Sequence, residues 1–98
     1  MGAWGHGGME IWPNPASGVI HGRLNMDSLS ASWGNGRFYR DLKLVIYDIF
    51  GRKVHEIKVP DGQKEIQINV EGFSPGVYVV ILKNGFNILE SRKFIVAQ

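Results

Sequence analysis

The sequence lacks cysteine altogether, so disulfide bridges and thiolate metal sites are excluded. Its 98 residues also contain no apolar run that approaches the ~18 residues needed for a membrane-spanning helix. The N-terminus has no charged region followed by an apolar core, which is the pattern of a secretory signal peptide. These absences leave a single domain whose core is built from ordinary apolar side chains.

A large excess of charge of one sign is also absent, because 11 Lys and Arg residues are nearly balanced by 9 Asp and Glu residues, for a net charge of +2. The cations are scattered, with no basic stripe interleaved with aromatic residues, so nucleic acid is not an expected partner. The histidines His6, His21 and His55 lie in three separate segments. No paired carboxylates, phosphate-binding glycine loop or nucleophile elbow accompanies them. We therefore predict a protein without catalytic activity, metal or cofactor.

Glycine dominates the first ten residues, which are too rich in it to hold structure alone. We expect residues 1–10 to be a flexible linker or a cloning remnant, and residues 11–98 to be the folded domain. With 44% hydrophobic and 20% charged residues, the chain has the composition of a globular domain with one core.

The most informative stretch is Leu42–Val54, which begins as a nearly continuous apolar run. Such a run predicts a strand that is buried on both faces near the middle of a sheet. Asp48 and Gly51 then bracket a four-residue turn, since Asp bonds the backbone ahead of it and Gly accepts positive φ. Arg52 begins the return arm of the predicted hairpin.

Strand and turn signals recur along the rest of the chain. Clean alternation predicts that Ile66, Ile68 and Val70 face the core while the residues between them face water. Tyr78 follows a turn and is placed to tie its strand to the preceding connection, as in a tyrosine corner. The further expectations are a short edge strand before Pro13, a strand at 19–24 with a bulge at Gly22, a second central strand at 77–82, turns at Asp61-Gly62 and Asn84-Gly85, and a bulge near 90–92 in the last strand. Together these signals predict an all-β sandwich of about seven antiparallel strands.

Four motifs in a fixed order resemble the C-terminal sorting domain of cargo proteins of the type IX (Por) secretion system of Bacteroidetes. They cover nearly the whole chain from Ile11 to Gln98, and they are Trp12–Ser17, Leu44–Val54, Phe73–Val80 and Glu90–Val96. The chain departs from the family pattern where His21-Gly22-Arg23 is expected to interrupt the second strand and where residues 26–40 form a long insert.

The resemblance implies an immunoglobulin-like β-sandwich that directs a larger cargo from the periplasm across the outer membrane to the cell surface. The implied partners are the type IX machinery and a sortase-like peptidase, which cleaves upstream of Ile11 before the cargo is attached to the surface. The last strand is expected to matter most for export. The motif positions carried over as recognition residues are Pro13, Asn14, Pro15, Asp48, Gly51, Arg52, Pro75, Gly76, Tyr78, Lys93, Phe94, Ile95 and Val96.

Two other functions compete with this interpretation. One is a fibronectin-like or carbohydrate-binding module of a secreted enzyme or adhesin, with Trp33, Phe38 and Tyr39 as its aromatic platform. The other is a structural role, in which short edge strands and the glycine-rich arm allow strand exchange between copies. A purely architectural role also competes with recognition at Asp48, Gly51, Pro75 and Gly76, because turns require such residues at these positions.

Overall fold

The computed structural model describes residues 8–25, 41–60 and 63–97, and these residues form seven β-strands. The strands are β1 (Met9–Trp12), β2 (Val19–Leu24), β3 (Leu42–Asp48), β4 (Lys53–Lys58), β5 (Glu65–Asn69), β6 (Gly76–Asn84) and β7 (Asn87–Val96). They build a three-stranded sheet in the order β1-β2-β5 and a four-stranded sheet in the order β4-β3-β6-β7, each with antiparallel pairing. The predicted all-β sandwich is therefore confirmed. The described residues include no helix with the length and apolar character to span a membrane.

The two apolar runs of the sequence form the middle of the larger sheet, β3 and β6. Leu44 and Ile46 of β3 and Leu82 of β6 point into the core and are fully buried. Val45 lies on the opposite face of β3, because successive side chains alternate across a strand, and yet it is only 2% exposed. The prediction that this strand is buried on both faces is confirmed at Val45, while Lys43 beside it is half-buried.

The smaller sheet has one buried face. In β5 the side chains of Ile66 and Ile68 are buried in the core, while Glu65 and Gln67 are exposed. Val70, just after the strand, is also buried, with 0% exposure. This is the alternation that the sequence predicts.

The strand before Pro13 is short and outermost in its sheet, also as predicted. It begins at Met9, which is buried, so the folded part includes two residues upstream of the expected start at Ile11.

Three local expectations need correction. Gly22 forms no bulge and His21-Gly22-Arg23 does not interrupt β2, because the register of β2 runs unbroken against both β1 and β5. A methyl group at Gly22 would meet the end of the Ile11 side chain at 3.4 Å, which is an ordinary contact distance, so the space beside β2 does not require glycine there. The β6–β7 hairpin turns at Gly85-Phe86, one residue after the predicted Asn84-Gly85.

The bulge predicted in the last strand is present. The register between β6 and β7 shifts where Leu82 pairs with Glu90 and Lys83 pairs with Ile88, which leaves Leu89 as the extra residue. It lies one residue before the predicted stretch. Other expectations fall outside the described residues, namely the Asp61-Gly62 turn, the 26–40 insert with Trp33, Phe38 and Tyr39, and His6.

Candidate recognition surface

Residues from all four motifs converge at one end of the four-stranded sheet. One row across the sheet joins Asp48 of β3 to Tyr78 of β6 and Tyr78 to Phe94 of β7. The next row joins Gly76 to Val96, and Val96 in turn forms a parallel bridge with Ala16. The chain order separates these segments by tens of residues, so only the fold brings them together.

The segment with Pro13, Asn14 and Pro15 fastens the three-stranded sheet to the outer edge of β7. The Asn14 Oδ1 atom accepts a hydrogen bond of 2.9 Å from the Ile95 backbone N–H. The Ala16 N–H donates to the Ile95 carbonyl at 2.7 Å, and the Ala97 N–H donates to the Ala16 carbonyl at 2.8 Å. The peptide bonds before both prolines are cis. Proline has no N–H to offer a neighbouring strand, so the side chain of Asn14 and the backbone of Ala16 supply these bonds.

The last strand presents two different faces at this end. Phe94 and Val96 are buried at 0% and 1% exposure, whereas Lys93 and Ile95 are exposed. The four predicted recognition residues of β7 therefore divide into two core residues and two surface residues. Of these four residues, Lys93 and Ile95 have side chains that a partner of the folded domain can contact.

The turn after β3 is held by the Asp48 carboxylate. Its Oδ1 atom accepts hydrogen bonds from the backbone N–H groups of Phe50 at 2.9 Å and Arg52 at 3.0 Å. Its Oδ2 atom accepts a 2.8 Å bond from Arg52 Nε. Gly51 has φ of 81°, which side-chain-bearing residues adopt only with strain, and its N–H donates to the Asp48 carbonyl at 3.0 Å. The predicted turn is confirmed.

These donors also set the ionisation of the turn. The backbone N–H of Arg52, above all, holds the pKa of the Asp48 carboxyl below its usual range, because it bonds the charged form. The Arg52 side chain and the Phe50 N–H act in the same direction and outweigh the opposing effect of burial. The turn thus contains an ion pair between the Asp48 carboxylate and the Arg52 guanidinium.

The connection before β6 is held by a tyrosine corner. The Tyr78 hydroxyl donates a 2.5 Å hydrogen bond to the Ser74 carbonyl, four residues upstream, as predicted. The Tyr78 ring stacks on Phe94 with 5.7 Å between ring centroids, and Phe73 lies 5.2 Å away on the same cluster. Pro75 is exposed and Gly76 is half-buried.

A groove of about 740 Å³ separates the β3–β4 turn from the β5–β6 connection. Ile49 and Phe50 line it and are 68% and 75% exposed, although both are large and apolar. The Arg52 guanidinium lies over the Phe50 ring at 5.4 Å from its centroid. The remaining lining residues are Asp48, Val54, Asn69 and residues 71–78. Residues of the second and third motifs therefore line a concave, partly apolar surface.

Sequence reasoning missed several contributors to this surface. Ala16 and Ser74 act through their backbones, which no side-chain pattern reveals. Ile49 and Phe50 carried a usable signal, because turn positions are ordinarily polar. The two described histidines each lie beside an aromatic ring. His21 stacks on Trp12 with 5.4 Å between ring centroids and an interplanar angle of 17°, and His55 lies 6.3 Å from the Phe73 ring. Within the part of the chain described, no three His, Asp or Glu residues are grouped to hold a metal ion.

Comparison with known families and structures adds an independent line of observation. The family described as "Secretion system C-terminal sorting domain" matches residues 10–97. The comparison with curated proteins finds no match.

Two solved structures are similar in fold. One is the crystal structure of dimeric latent PorU from Porphyromonas gingivalis, with a TM-score of 0.60 and 23% identity over 92% of this chain. The chain corresponds to only 9% of that much longer protein. The other is an immunoglobulin-like protein from Pseudomonas aeruginosa, with a TM-score of 0.50, 12% identity and coverage of 93% of both chains. At these identities the likeness shows the fold, which is immunoglobulin-like as expected.

Proposed function

Because the chain belongs to the C-terminal sorting domain family of the type IX (Por) secretion system, we propose that it directs a larger cargo protein across the outer membrane. In this role it acts as a ligand of the export machinery, without catalytic activity of its own. The cargo reaches the periplasm first and then the cell surface. A sortase-like peptidase separates the domain from the cargo upstream of Ile11, and the cargo is then attached to the surface.

The observation that carries the proposal is the convergence of the four motifs at one end of the folded domain. Asp48, Tyr78 and Phe94 share a row of the sheet, and Asn14 bonds the adjacent residue Ile95. Turn chemistry alone requires Asp48 and Gly51 to lie near each other in the sequence. It does not require the Pro13–Pro15 segment to bond the last strand, and the fold joins these two motifs at the same end of the sheet.

Recognition through the last strand must use the side chains that the fold leaves exposed. Deleting residues 93–98 would remove Phe94 and Val96 from the core, so such a deletion tests folding as much as export. Substitution of Lys93 and Ile95 avoids this difficulty, because both are exposed. We expect these two side chains, with the β3–β4 turn, to contact the machinery.

The test is a fluorescent reporter that carries a Sec signal at its N-terminus and this chain at its C-terminus, expressed in a bacterium with a working type IX system. The unchanged chain should deliver the reporter to the cell surface. The double substitution Lys93→Gln and Ile95→Thr should reduce surface delivery at least tenfold while the isolated domain keeps its melting temperature.

Matched controls are Lys58→Gln and Ile88→Thr, which alter an exposed Lys and an exposed Ile elsewhere on the four-stranded sheet. Reporter that stays in the periplasm with the unchanged chain contradicts the proposed function. Equal loss of delivery in the control pair contradicts the assignment of the surface. Mass spectrometry of the surface-delivered reporter tests cleavage, which we expect upstream of Ile11.

A further inference from the structure

The lysine residues are scattered along the chain, but the fold gathers most of them on one surface. Residues that pair directly across antiparallel strands point to the same side of a sheet. By this register, five of the six lysines lie on the outer face of the four-stranded sheet, away from the core. Among the described residues of that face, Glu56 is the one carboxylate. We call this surface the lysine face, and its lysines are Lys43, Lys53, Lys58, Lys83 and Lys93.

Three of these lysines stand side by side in a row across three strands, which we call the lysine row. Lys43 of β3 pairs with Lys58 of β4 on one side and with Lys83 of β6 on the other. Lys58 is exposed, and the other two are half-buried. Like charges that stand directly opposite each other destabilise a sheet. Within the described part of the chain, the one ion pair in this row joins Lys43 to Glu56 at 4.0 Å, so the row concentrates positive charge in a way that works against folding.

Glu56 neutralises little of this charge. Its closest partner is Lys53, whose Nζ atom lies 2.8 Å from Glu56 Oε1. The hydrogen bond from Lys53, above all, lowers the pKa of the Glu56 carboxyl, and the charges of Lys43 and Lys83 act in the same direction. One carboxylate thus lies among several ammonium groups, and the lysine face keeps a net positive charge. The sign of this field favours an anionic partner.

Exposed apolar side chains lie at the same end of the sheet as the lysine row. Ile88 is 60% exposed and pairs with Lys83, so it continues the row onto β7. Phe86, in the turn of the β6–β7 hairpin, is 98% exposed. The turn is tied to the start of β3, because the Gly85 N–H donates to the Asp41 carbonyl at 3.1 Å. Asp41 brings one carboxylate to this end against the three lysines of the row, so the hairpin presents Phe86 to solvent beside an excess of positive charge.

We propose that this end of the domain docks on the surface of a lipid membrane that contains anionic phospholipids. The lysine row contacts the lipid phosphates, and Phe86 and Ile88 enter the boundary between the headgroups and the acyl chains. Lysine suits this place because its stem lies along apolar surface while its ammonium group stays in the polar layer. A soluble anion would be bound by the lysines alone, whereas the exposed Phe and Ile beside them fit an interface that is charged on one side and apolar on the other.

This activity goes beyond the proposed sorting function and uses a different part of the molecule. Lys43 pairs with Lys83 near the start of β3, whereas Asp48 pairs with Tyr78 at its end. The lysine row and the motif residues therefore lie at opposite ends of the sheet. A domain that is bound to a membrane through the lysine row leaves the motif end free for the export machinery.

The first test is co-sedimentation of the full chain with vesicles made of equal parts of phosphatidylglycerol and phosphatidylethanolamine. The unchanged chain should bind these vesicles, and the affinity should fall at least about fivefold between about 0.1 M and about 0.5 M salt, because salt screens the lysines. Vesicles of phosphatidylcholine alone should not bind it. A chain that ignores the anionic vesicles overturns the proposal, and so does one that binds both kinds equally.

Substitutions of single lysines test the row. Lys58→Gln and Lys83→Gln should each weaken vesicle binding about fivefold, and neither should lower the melting temperature, because each relieves repulsion at Lys43. The matched control is Lys64→Gln, which removes the same charge from an exposed lysine outside the lysine face. It should change the affinity less than about twofold. Equal losses in the row variants and the control overturn the assignment of the row.

A substitution in the hairpin turn tests the membrane as the partner. Phe86→Ser should weaken vesicle binding at least about fivefold at either salt concentration, because salt does not screen the burial of an apolar ring. The matched control is Phe50→Ser, which alters a 75% exposed Phe at the other end of the sheet. If Phe86→Ser binds as tightly as the unchanged chain, the proposal is overturned, and the lysine face binds a soluble polyanion instead.

Lipid docking and sorting can be separated by experiment. Lys58→Gln combined with Ile88→Thr should lose most of the vesicle binding and still deliver the reporter, because both residues lie away from the motif end. An unchanged chain that delivers the reporter without binding anionic vesicles refutes lipid docking and leaves the sorting function standing. A chain that binds the vesicles and fails in delivery does the reverse.

Discussion

Asn14 and Ile95 are 81 residues apart in the sequence and are joined by a hydrogen bond of 2.9 Å from the Ile95 N–H to the Asn14 Oδ1 atom. The bond joins the loop after the first strand to the last strand, and so it connects the two sheets. It lies beside the bridge between Ala16 and Val96, which closes the same flank of the sandwich. The end of the domain that carries the motifs is therefore fixed by contacts between its first and last segments.

Replacement of Asn14 by Ala should lower the free energy of unfolding by about 1 kcal/mol, because it removes the acceptor of the Ile95 N–H. Urea unfolding followed by circular dichroism measures the change. Asn87→Ala is the matched control, since Asn87 is an exposed Asn at the far end of β7. Equal midpoints for the two variants would show that the Asn14 side chain is not a structural tie.

Replacement of Phe94 by Ala should lower the free energy of unfolding by roughly 3–5 kcal/mol, because it opens a cavity at a fully buried core position. Ile95→Ala, one residue further on, should cost less than about 1 kcal/mol because that side chain is exposed. The same urea titration compares them. A similar loss in both variants would contradict the division of β7 into a core face and a surface face.

Replacement of Tyr78 by Phe should lower the free energy of unfolding by about 1 kcal/mol, because the ring stays in place while the bond to the Ser74 carbonyl is lost. Thermal unfolding at a fixed pH detects the change. Tyr47→Phe removes a hydroxyl from a half-buried Tyr of β3 and should change stability by less than about 0.5 kcal/mol. If both variants have the same melting temperature as the unchanged protein, the tyrosine corner contributes nothing to stability.

Acid should weaken the domain in part through Asp48. The backbone N–H of Arg52, most of all, lowers the pKa of this carboxyl in the folded state. The stabilisation is therefore fully present above the unfolded pKa of about 3.9 and is lost as the pH falls through the lower folded value. Asp48→Asn should melt below the unchanged protein at pH 7, and the gap should narrow as the pH falls below about 4. A gap that stays constant from pH 7 to pH 2 would exclude a role for the charge.

Much of the secondary structure could be predicted from local patterns. The apolar run of β3, the alternation of β5 and the turn from Asp48 to Gly51 are each set by neighbours within a few residues, and each is confirmed. The bulge expected at Gly22 was wrong for a physical reason. Glycine in a strand can mark a bulge but does not require one, and at this position the pairing of β2 with strands on both sides keeps the register unbroken.

The sequence by itself determined an all-β domain without thiol chemistry, the turn from Asp48 to Gly51 and membership in a family of sorting domains, because strand periodicity, turn residues and motif order can be read along the chain. Only the tertiary structure decided that the Pro13–Pro15 segment bonds the last strand and that Phe94 is buried while Ile95 is exposed. It also decided that two connections enclose an apolar groove. These features depend on which strands become neighbours, and that choice follows from burying one shared core rather than from any short stretch of sequence.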